Sequence, residues 1–328
     1  MTSPGTLFFV FLLAFQVVVY GVMYWIQPWL PESFLRFPLF NVVMFLLILL
    51  LPLYIWLALR KEKLSTFIPS VKLGRTNSIL ILAISFFLLP FMAFLSAISS
   101  MFLPNVAADF LTEMSQHSIW VLLFVAAVTP AVVEEVVFRG YIQSQYKTWV
   151  FWRVALLNGF FFAFIHAPQQ WLYAFAMGVV MAYMVHITRS VRAGILSHFF
   201  MNAINVIMFR GVAWLYARQE EVEREAVAHV VTISTEAAEI TTAITTRPLS
   251  PYVPTSMMMM ARVLAVCLVF LPFLIITTRT FISHNRQRFT EYDIRQALAD
   301  ESDDKTNDES DDSDEKKQPD HRGGGVEP

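Results

Sequence analysis

Charged side chains are scarce in this sequence. They make up 15% of the 328 residues, whereas a soluble globular domain usually carries about 25%. Hydrophobic residues make up 56%, and the mean hydropathy is +0.54. This composition argues against an ordinary soluble enzyme and predicts an integral membrane protein.

Cysteine and several familiar sequence patterns are also missing. Cys267 is the only cysteine, so it can form neither an intramolecular disulfide nor a thiolate metal cluster. No HExxH zinc motif occurs, and no repeat of 20–50 residues indicates a solenoid or an inverted-repeat transporter. Because the sequence has a single cysteine, interpretations as a cysteine protease or an iron–sulfur protein lose most of their support.

Long apolar runs are abundant. Runs of about 20 apolar residues are long enough to cross a bilayer, and here they predict an all-α, polytopic transmembrane bundle of about eight helices. The predicted spans are 6–26, 40–59, 79–103, 118–138, 150–167, 170–188, 193–214 and 257–278. The first has neither a basic start nor a cleavage site, so we interpret it as a retained helix and not as a signal peptide.

Basic residues cluster in alternate loops, near 60–75, 147–153 and 189–192, and again after residue 279. The positive-inside rule then places both termini in the cytoplasm. Short loops and the lack of a targeting sequence favour the bacterial cytoplasmic membrane as the location.

Composition divides the chain into five parts. We predict N-terminal scaffold helices, a polar helical core, an extracytoplasmic insert, a final helix and a basic, then acidic, disordered cytoplasmic tail, at 1–117, 118–214, 215–256, 257–280 and 281–328. A lid, a partner site and a spacer are all open for the insert, with the spacer favoured.

Two adjacent carboxylates, Glu134 and Glu135, lie inside the apolar stretch AVVEEVVFRGYI. An ionised side chain in hydrocarbon costs several kcal/mol or more, so such residues are functional candidates. On a helix Arg139 lies one turn after Glu135, a spacing that supports an ion pair. Glu134 points about 100° away from that partner. This arrangement suits Glu134 to general base catalysis, although a buried charge cluster that only locks helices together remains the alternative.

Two further pairs have a spacing of four residues. Phe162 and His166 share one helical face, and His198 and Asn202 share another, which Asn205 continues. A single intramembrane histidine is more often a hydrogen-bonding partner between helices. Two histidines together with an asparagine and a glutamate pair indicate chemistry instead.

Three motifs carry a resemblance to a known family. In order and approximate separation they resemble the motifs of the CPBP family, the CAAX-protease and bacteriocin-processing membrane proteins also called the Abi family. They are Glu134-Glu135-x-x-x-Arg139, Phe162-x-x-x-His166 and His198-x-x-x-Asn202. The segment TRSVRAGILSH is also similar, and the resemblance covers about residues 118–210.

The resemblance implies an intramembrane endopeptidase that hydrolyses membrane-associated proteins or peptides and is reached from the cytoplasm and the bilayer. It implies that Glu134 activates a water molecule that His166 helps to hold, and that His198 and Asn202 stabilise the oxyanion. Supporting roles fall to Glu135, Arg139 and Phe162. No cofactor, no metal and no nucleic-acid partner is expected, and the oligomeric state is open.

Other functions compete with this one. His166, His198 and a glutamate could form a His₂Glu zinc set, which we place second. The polar cluster could also belong to a non-enzymatic scaffold or a bacteriocin-immunity-type partner. A proton-coupled transporter would explain the glutamates but not the His198–Asn202 pair.

The predicted depths of the candidate residues disagree. Glu134 and His198 fall near the cytoplasmic ends of their spans, whereas His166 lies roughly 20 Å into its span at 1.5 Å per residue. A tilted, kinked or shortened fifth helix would bring the three residues together.

Overall fold

The computed structural model describes most of the membrane-embedded chain. It describes residues 3–31, 37–103, 112, 114–146, 149–236 and 262–286. Two compact units, Met1–Phe281 and Ile282–Pro328, divide the chain, and every candidate site residue falls in the first. The acidic tail predicted to be disordered lies outside the described residues, as do residues 237–256 of the predicted insert.

Eight helices make up the described part of the chain. They are α1 (Pro4–Ile26), α2 (Pro38–Arg60), α3 (Arg75–Ser100), α4 (Ile119–Ile142), α5 (Phe151–Phe164), α6 (Trp171–Thr188), α7 (Val191–Glu236) and α8 (Arg262–Arg286). All but α5 are long and apolar enough to cross a membrane. The protein is therefore an integral membrane protein, and the all-α prediction is confirmed.

Helix α5 is shorter than the span predicted at 150–167. Its 14 residues extend for about 21 Å, less than the roughly 30 Å of a hydrocarbon core. Pro168 begins a separate turn, Pro168–Gln170, and proline has no amide hydrogen with which to continue a helix. His166 consequently lies beyond the end of α5, and a shortened helix is one of the three solutions that the predicted depths left open.

Helix α4 is not uniform. Two of its segments, Phe124–Val128 and Val136–Ile142, are π-helical. This conformation is rare in proteins overall, but where it occurs it is often at a functional site. The second segment follows Glu135 directly. Asn158 of α5 donates a hydrogen bond to the Phe138 carbonyl oxygen at 3.0 Å, so α5 is fixed to the π-helical part of α4.

Apolar packing surrounds α4 on two sides. One buried cluster joins α1, α2, α4 and α5 and includes Phe8, Leu12, Leu49, Leu53, Phe138, Tyr141 and Phe161. A second joins α3, α6 and α7 and includes Ile81, Ile84, Met177, Met181 and Met201. Side-chain packing of this kind is a main source of helix association in a membrane. The polar residues of α4 lie where α4, α5, α6 and α7 meet.

Glycines allow α5 and α6 to cross closely. A Cβ added to Gly178 would come within 2.8 Å of the Gly159 Cα, and a Cβ added to Gly159 would come within 2.9 Å of the Phe175 oxygen. Small residues permit such close backbone contact between membrane helices. The crossing sets the position of Phe162, which also faces Gly178.

Two loops are joined at the start of α7. Ser70 and Ser190 form an antiparallel bridge, with the Val71 amide donating to the Arg189 oxygen at 3.1 Å and the Val191 amide to the Pro69 oxygen at 2.8 Å. A buried hydrogen bond of 2.7 Å between the hydroxyl oxygens of Ser85 and Ser197 also connects α3 to α7. These contacts fix the segment of α7 that carries His198.

Helix α7 does not end at the predicted boundary near residue 214. It continues to Glu236, so the first part of the predicted insert is a helical extension of α7. The part of α7 that is long and apolar enough to cross a membrane is Val191–Leu215. The five-part division of the chain otherwise stays a prediction.

Candidate active site

Glu135 lies in a polar cluster held by direct hydrogen bonds, although its own Oε2 and the Arg139 Nε have no hydrogen-bond partner among the described residues. Its Oε1 accepts hydrogen bonds from Arg139 Nη1 at 2.7 Å and from His198 Nδ1 at 3.1 Å. Arg139 Nη2 donates to the Gly178 carbonyl oxygen at 3.2 Å. Glu135 and Arg139 are almost completely buried. We call this set of Glu135, Arg139, the Gly178 carbonyl and His198 Nδ1 the closed cluster.

Two apolar features shape the closed cluster. A Cβ added to Gly194 would overlap the Glu135 Oε2 atom, so α7 can approach this carboxylate only with glycine there. The Phe162 ring covers the Arg139 guanidinium, whose Cζ lies 4.4 Å from the ring centroid. The same ring is 5.8 Å from the His198 ring, so Phe162 excludes solvent from the ion pair.

Glu134 lies in a different environment. Its side chain is buried, and its Oε2 faces His198 Nε2 at 3.8 Å and His166 Nε2 at 4.0 Å. Both distances exceed that of a direct hydrogen bond, and Oε2 has no hydrogen-bond partner among the described residues. We call Glu134, the two Nε2 atoms and Asn202 the open cluster.

His166 is held by the end of α5. Its Nδ1 lies 2.7 Å from the Phe162 carbonyl oxygen, and its backbone amide donates to the Ala163 oxygen at 3.0 Å. The Trp171 indole donates to the His166 carbonyl oxygen at 2.9 Å. The ring is fixed although the residue follows the helix, and its side chain is 22% exposed while Glu134 is nearly closed off.

These hydrogen bonds define the tautomers of both histidines. A carbonyl oxygen can only accept, so His166 must carry a proton on Nδ1. His198 Nδ1 faces a carboxylate that also receives Arg139, and it too carries the proton. In the neutral form each histidine therefore presents an unprotonated Nε2 to Glu134.

Asn202 and Asn205 continue the face of α7 that carries His198. Asn202 is half-buried and makes no side-chain hydrogen bond to any described residue. Asn205 is exposed and donates to the Tyr173 hydroxyl of α6 at 3.3 Å. The hydrogens of the Asn202 side-chain amide therefore have no protein acceptor in the described part of the chain.

The geometry does not form a ready metal site. Within the described part of the chain, no three His, Cys, Asp or Glu side chains are arranged to hold a metal ion. Tetrahedral zinc with bonds of 2.0–2.2 Å would hold two ligand atoms about 3.4 Å apart, whereas the Glu134 Oε2 distances to the two imidazoles are 3.8 and 4.0 Å.

Six of the seven predicted residues converge by direct contacts, namely Glu134, Glu135, Arg139, Phe162, His166 and His198. Asn202 shares the helical face of His198. The sequence did not single out Tyr173 or Gly194, and only the glycine in RAGILSH gives a local signal. His186 belongs to none of the three motifs, and its ring stacks on that of Phe151 with the ring centroids 4.0 Å apart.

Comparison with known proteins identifies one family. A family model described as type II CAAX prenyl endopeptidase Rce1-like matches residues 116–204. No curated protein and no solved structure matches the chain. The matched segment includes α4, α5, α6 and the start of α7, and it therefore contains every residue of the closed and open clusters.

Proposed function

Residues 116–204 form a domain of the Rce1-like type II CAAX prenyl endopeptidase family, and from this premise we propose that the protein cleaves peptide bonds inside the membrane with a water molecule activated by Glu134. Membership of this family implies peptidase activity and confirms the resemblance seen in the motifs. The finer assignment of residues to steps is the proposal.

The arrangement around the Glu134 Oε2 atom carries this proposal. Three polar atoms, from α4, from α7 and from the residue just after α5, face one another, and the distances of 3.8 and 4.0 Å between Oε2 and the imidazole nitrogens suit contacts through a bridging water. A group that served only packing would be expected to bond directly to its neighbours, as Glu135 does.

In the first step Glu134 acts as the general base. Water donates one hydrogen to Glu134 and the other to the lone pair on His166 Nε2, which turns the oxygen toward the substrate carbonyl carbon. As the carbon–oxygen bond forms, the first proton passes to Glu134 and the carbonyl oxygen becomes an oxyanion. A base held within reach of the proton contributes about 10²–10⁴ in rate.

In the second step the tetrahedral intermediate collapses. The carbon–nitrogen bond breaks, and the proton held by Glu134 passes to the leaving nitrogen, which restores the carboxylate. The second water hydrogen stays on the new carboxyl group until that group ionises. No nucleophilic side chain and no covalent intermediate is needed.

Asn202 and His198 are the proposed oxyanion donors, but they are not equivalent. The Asn202 amide donates in every protonation state. His198 uses Nδ1 for Glu135, so its Nε2 can donate only when the ring is an imidazolium. Glu135 is the carboxylate that would stabilise this cation, and its Oε1 also accepts a hydrogen bond from Arg139 Nη1.

Zinc hydrolysis is the second candidate. Both Nδ1 atoms are bonded to oxygen acceptors, an arrangement that zinc-ligating histidines also use to fix their tautomer. Because the described residues do not converge to ligand distances, we place the glutamate mechanism first. The scaffold hypothesis does not account for the family match, and the transporter hypothesis gives no role to Asn202.

For the substrate we propose membrane-associated proteins or peptides, reached from the cytoplasm and the bilayer. Prenylated proteins that end in a CAAX sequence are the class named in the family description and are the first to test. A bacterial cytoplasmic membrane with both termini inside remains part of this proposal.

The test compares membranes that contain the wild-type protein with membranes that contain Glu134→Gln. Quantitative peptide mapping should find at least one peptide bond cut only by the wild type. Glu221→Gln is the matched control, since Glu221 is exposed on the extension of α7 and pairs with Arg218, and it should cut the same bond. If every peptide bond that is cut in the wild-type membranes is also cut in the Glu134→Gln membranes, the proposed base is wrong.

A further inference from the structure

Tyr173 and Asn205 form a polar pair between the candidate membrane spans of α6 and α7. Asn205 follows Val191 by 14 residues and Tyr173 precedes Thr188 by 15, so both lie about 21–23 Å from the end where α6 joins α7, and Tyr173 is close to the start of α6 at Trp171. Asn205 is exposed and Tyr173 is half-buried. Polar groups exposed within a membrane span are costly and mark functional sites by default.

The hydrogen bond between Asn205 and Tyr173 leaves other hydrogen-bond donors and acceptors of the two side chains unused. Asn205 donates one amide hydrogen to the Tyr173 oxygen, which leaves the tyrosine O–H free to donate and the asparagine Oδ1 free to accept. No other hydrogen bond to either side chain occurs among the described residues. One donor and one acceptor side by side match the C=O and N–H of a peptide unit.

The pair continues the line of the open cluster. Asn205 lies on the α7 face that carries His198 and Asn202, and its hydrogen bond to the Tyr173 hydroxyl connects that face to α6. From His198 to Asn205 the face rises by about 10 Å. An extended peptide covers this distance with about three residues.

We propose that Tyr173 and Asn205 form a subsite that hydrogen-bonds the main chain of the substrate beside the scissile bond. The proposal rests on the proposed protease function. An extended peptide in the membrane cannot satisfy its own N–H and C=O groups, and each such group left without a partner is strongly unfavourable. The pair supplies partners where the substrate must unwind.

The test uses a synthetic peptide that spans the bond found to depend on Glu134, and two analogues with an ester in place of the amide on either side of that bond. Tyr173→Phe and Asn205→Ala should each lower kcat/KM for the amide peptide by about threefold to tenfold. One of the two esters should lower kcat/KM of the wild type by a similar factor. The same ester should have no further effect on Asn205→Ala, because the acceptor for the missing N–H is already gone.

Tyr183→Phe is the matched control. Tyr183 lies on the same helix and packs against Phe151, and its variant should respond to both esters as the wild type does. If both esters act additively with Asn205→Ala, or if neither pair variant changes kcat/KM, the subsite is wrong while the protease assignment stands. A wild-type protein without any Glu134-dependent cleavage would overturn the protease function and the subsite with it.

Discussion

Glu134 and Glu135 are adjacent in the sequence, yet they belong to two different regions. In the closed cluster Glu135 Oε1 is bonded to an arginine and a histidine at 2.7 and 3.1 Å. In the open cluster Glu134 approaches polar atoms only at 3.8–4.0 Å. Direct hydrogen bonds to Oε1 hold Glu135, whereas Glu134 Oε2 has no direct partner among the described residues, which is the position that the proposed base would need. His198 belongs to both through its two ring nitrogens.

The largest expected effect separates base from structure. Glu134→Gln should lower kcat by about 10²–10⁴-fold because it removes the proposed general base while keeping almost the same shape. Thermal unfolding in detergent should be close to that of the wild type. Normal turnover by this variant on an identified substrate would show that Glu134 is not the base, and the proposed functional difference between the two clusters would be wrong.

Glu135→Gln should lower stability as well as activity. It removes the carboxylate that compensates Arg139, and breaking a buried ion pair costs about 3–5 kcal/mol. The free energy of unfolding should therefore fall, and activity should fall with it because His198 loses its partner. Chemical denaturation of Glu134→Gln and of Glu135→Gln gives the two free energies of unfolding that are to be compared. Equal stability of the two would show that the closed cluster does not hold the fold.

Asn202→Ala should reduce kcat by about 10²–10³-fold with little change in KM, since an oxyanion donor acts mainly in the transition state. Asn205→Ala on the same helical face provides the contrast, because a subsite residue should have a smaller effect. A rise in KM without loss of kcat for Asn202→Ala would place this amide in substrate binding.

Gly194→Ala tests how tightly the closed cluster is packed. The added methyl group would overlap the Glu135 Oε2 atom, and overpacking of a buried site typically costs about 1–3 kcal/mol. Gly211→Ala is the control on the same helix, where a Cβ would meet nothing within 4 Å. Melting temperatures of the two variants should differ, and identical values would mean that Glu135 can move aside.

The smallest expected effect is that of metal removal. We expect the purified protein to keep its activity in phenanthroline and to contain less than one zinc per chain. Zinc held in stoichiometric amount, lost together with activity and restored by adding it back, would convert the open cluster into a metal site. The peptidase assignment would survive that result.

The parts predictable from the sequence are those set by spacing along one helix. The four-residue separation predicted the Glu135–Arg139 pair, and the structure confirms it at 2.7 Å. Apolar runs predicted the helices. The short α5 was open only as one of several solutions to the depth of His166, because proline and the following turn end it.

Contacts between helices were less accessible. Gly194 becomes important only because α7 passes beside Glu135, and Tyr173 only because its hydroxyl meets Asn205 across two helices. Such contacts depend on crossing distances that no local pattern encodes. The same holds for the Nδ1 tautomers, which follow from acceptors that the fold supplies.

The joining of distant segments at α7 has a consequence for biosynthesis. Glu134 and His198 are 64 residues apart, and the Ser70–Ser190 bridge and the Ser85–Ser197 hydrogen bond both wait for the start of α7. At about 5–20 residues per second, a nascent chain passes roughly 3–13 s between the synthesis of Glu134 and that of His198. Neither cluster can be complete before α7 has been made, so any activity that needs both clusters is acquired late in synthesis.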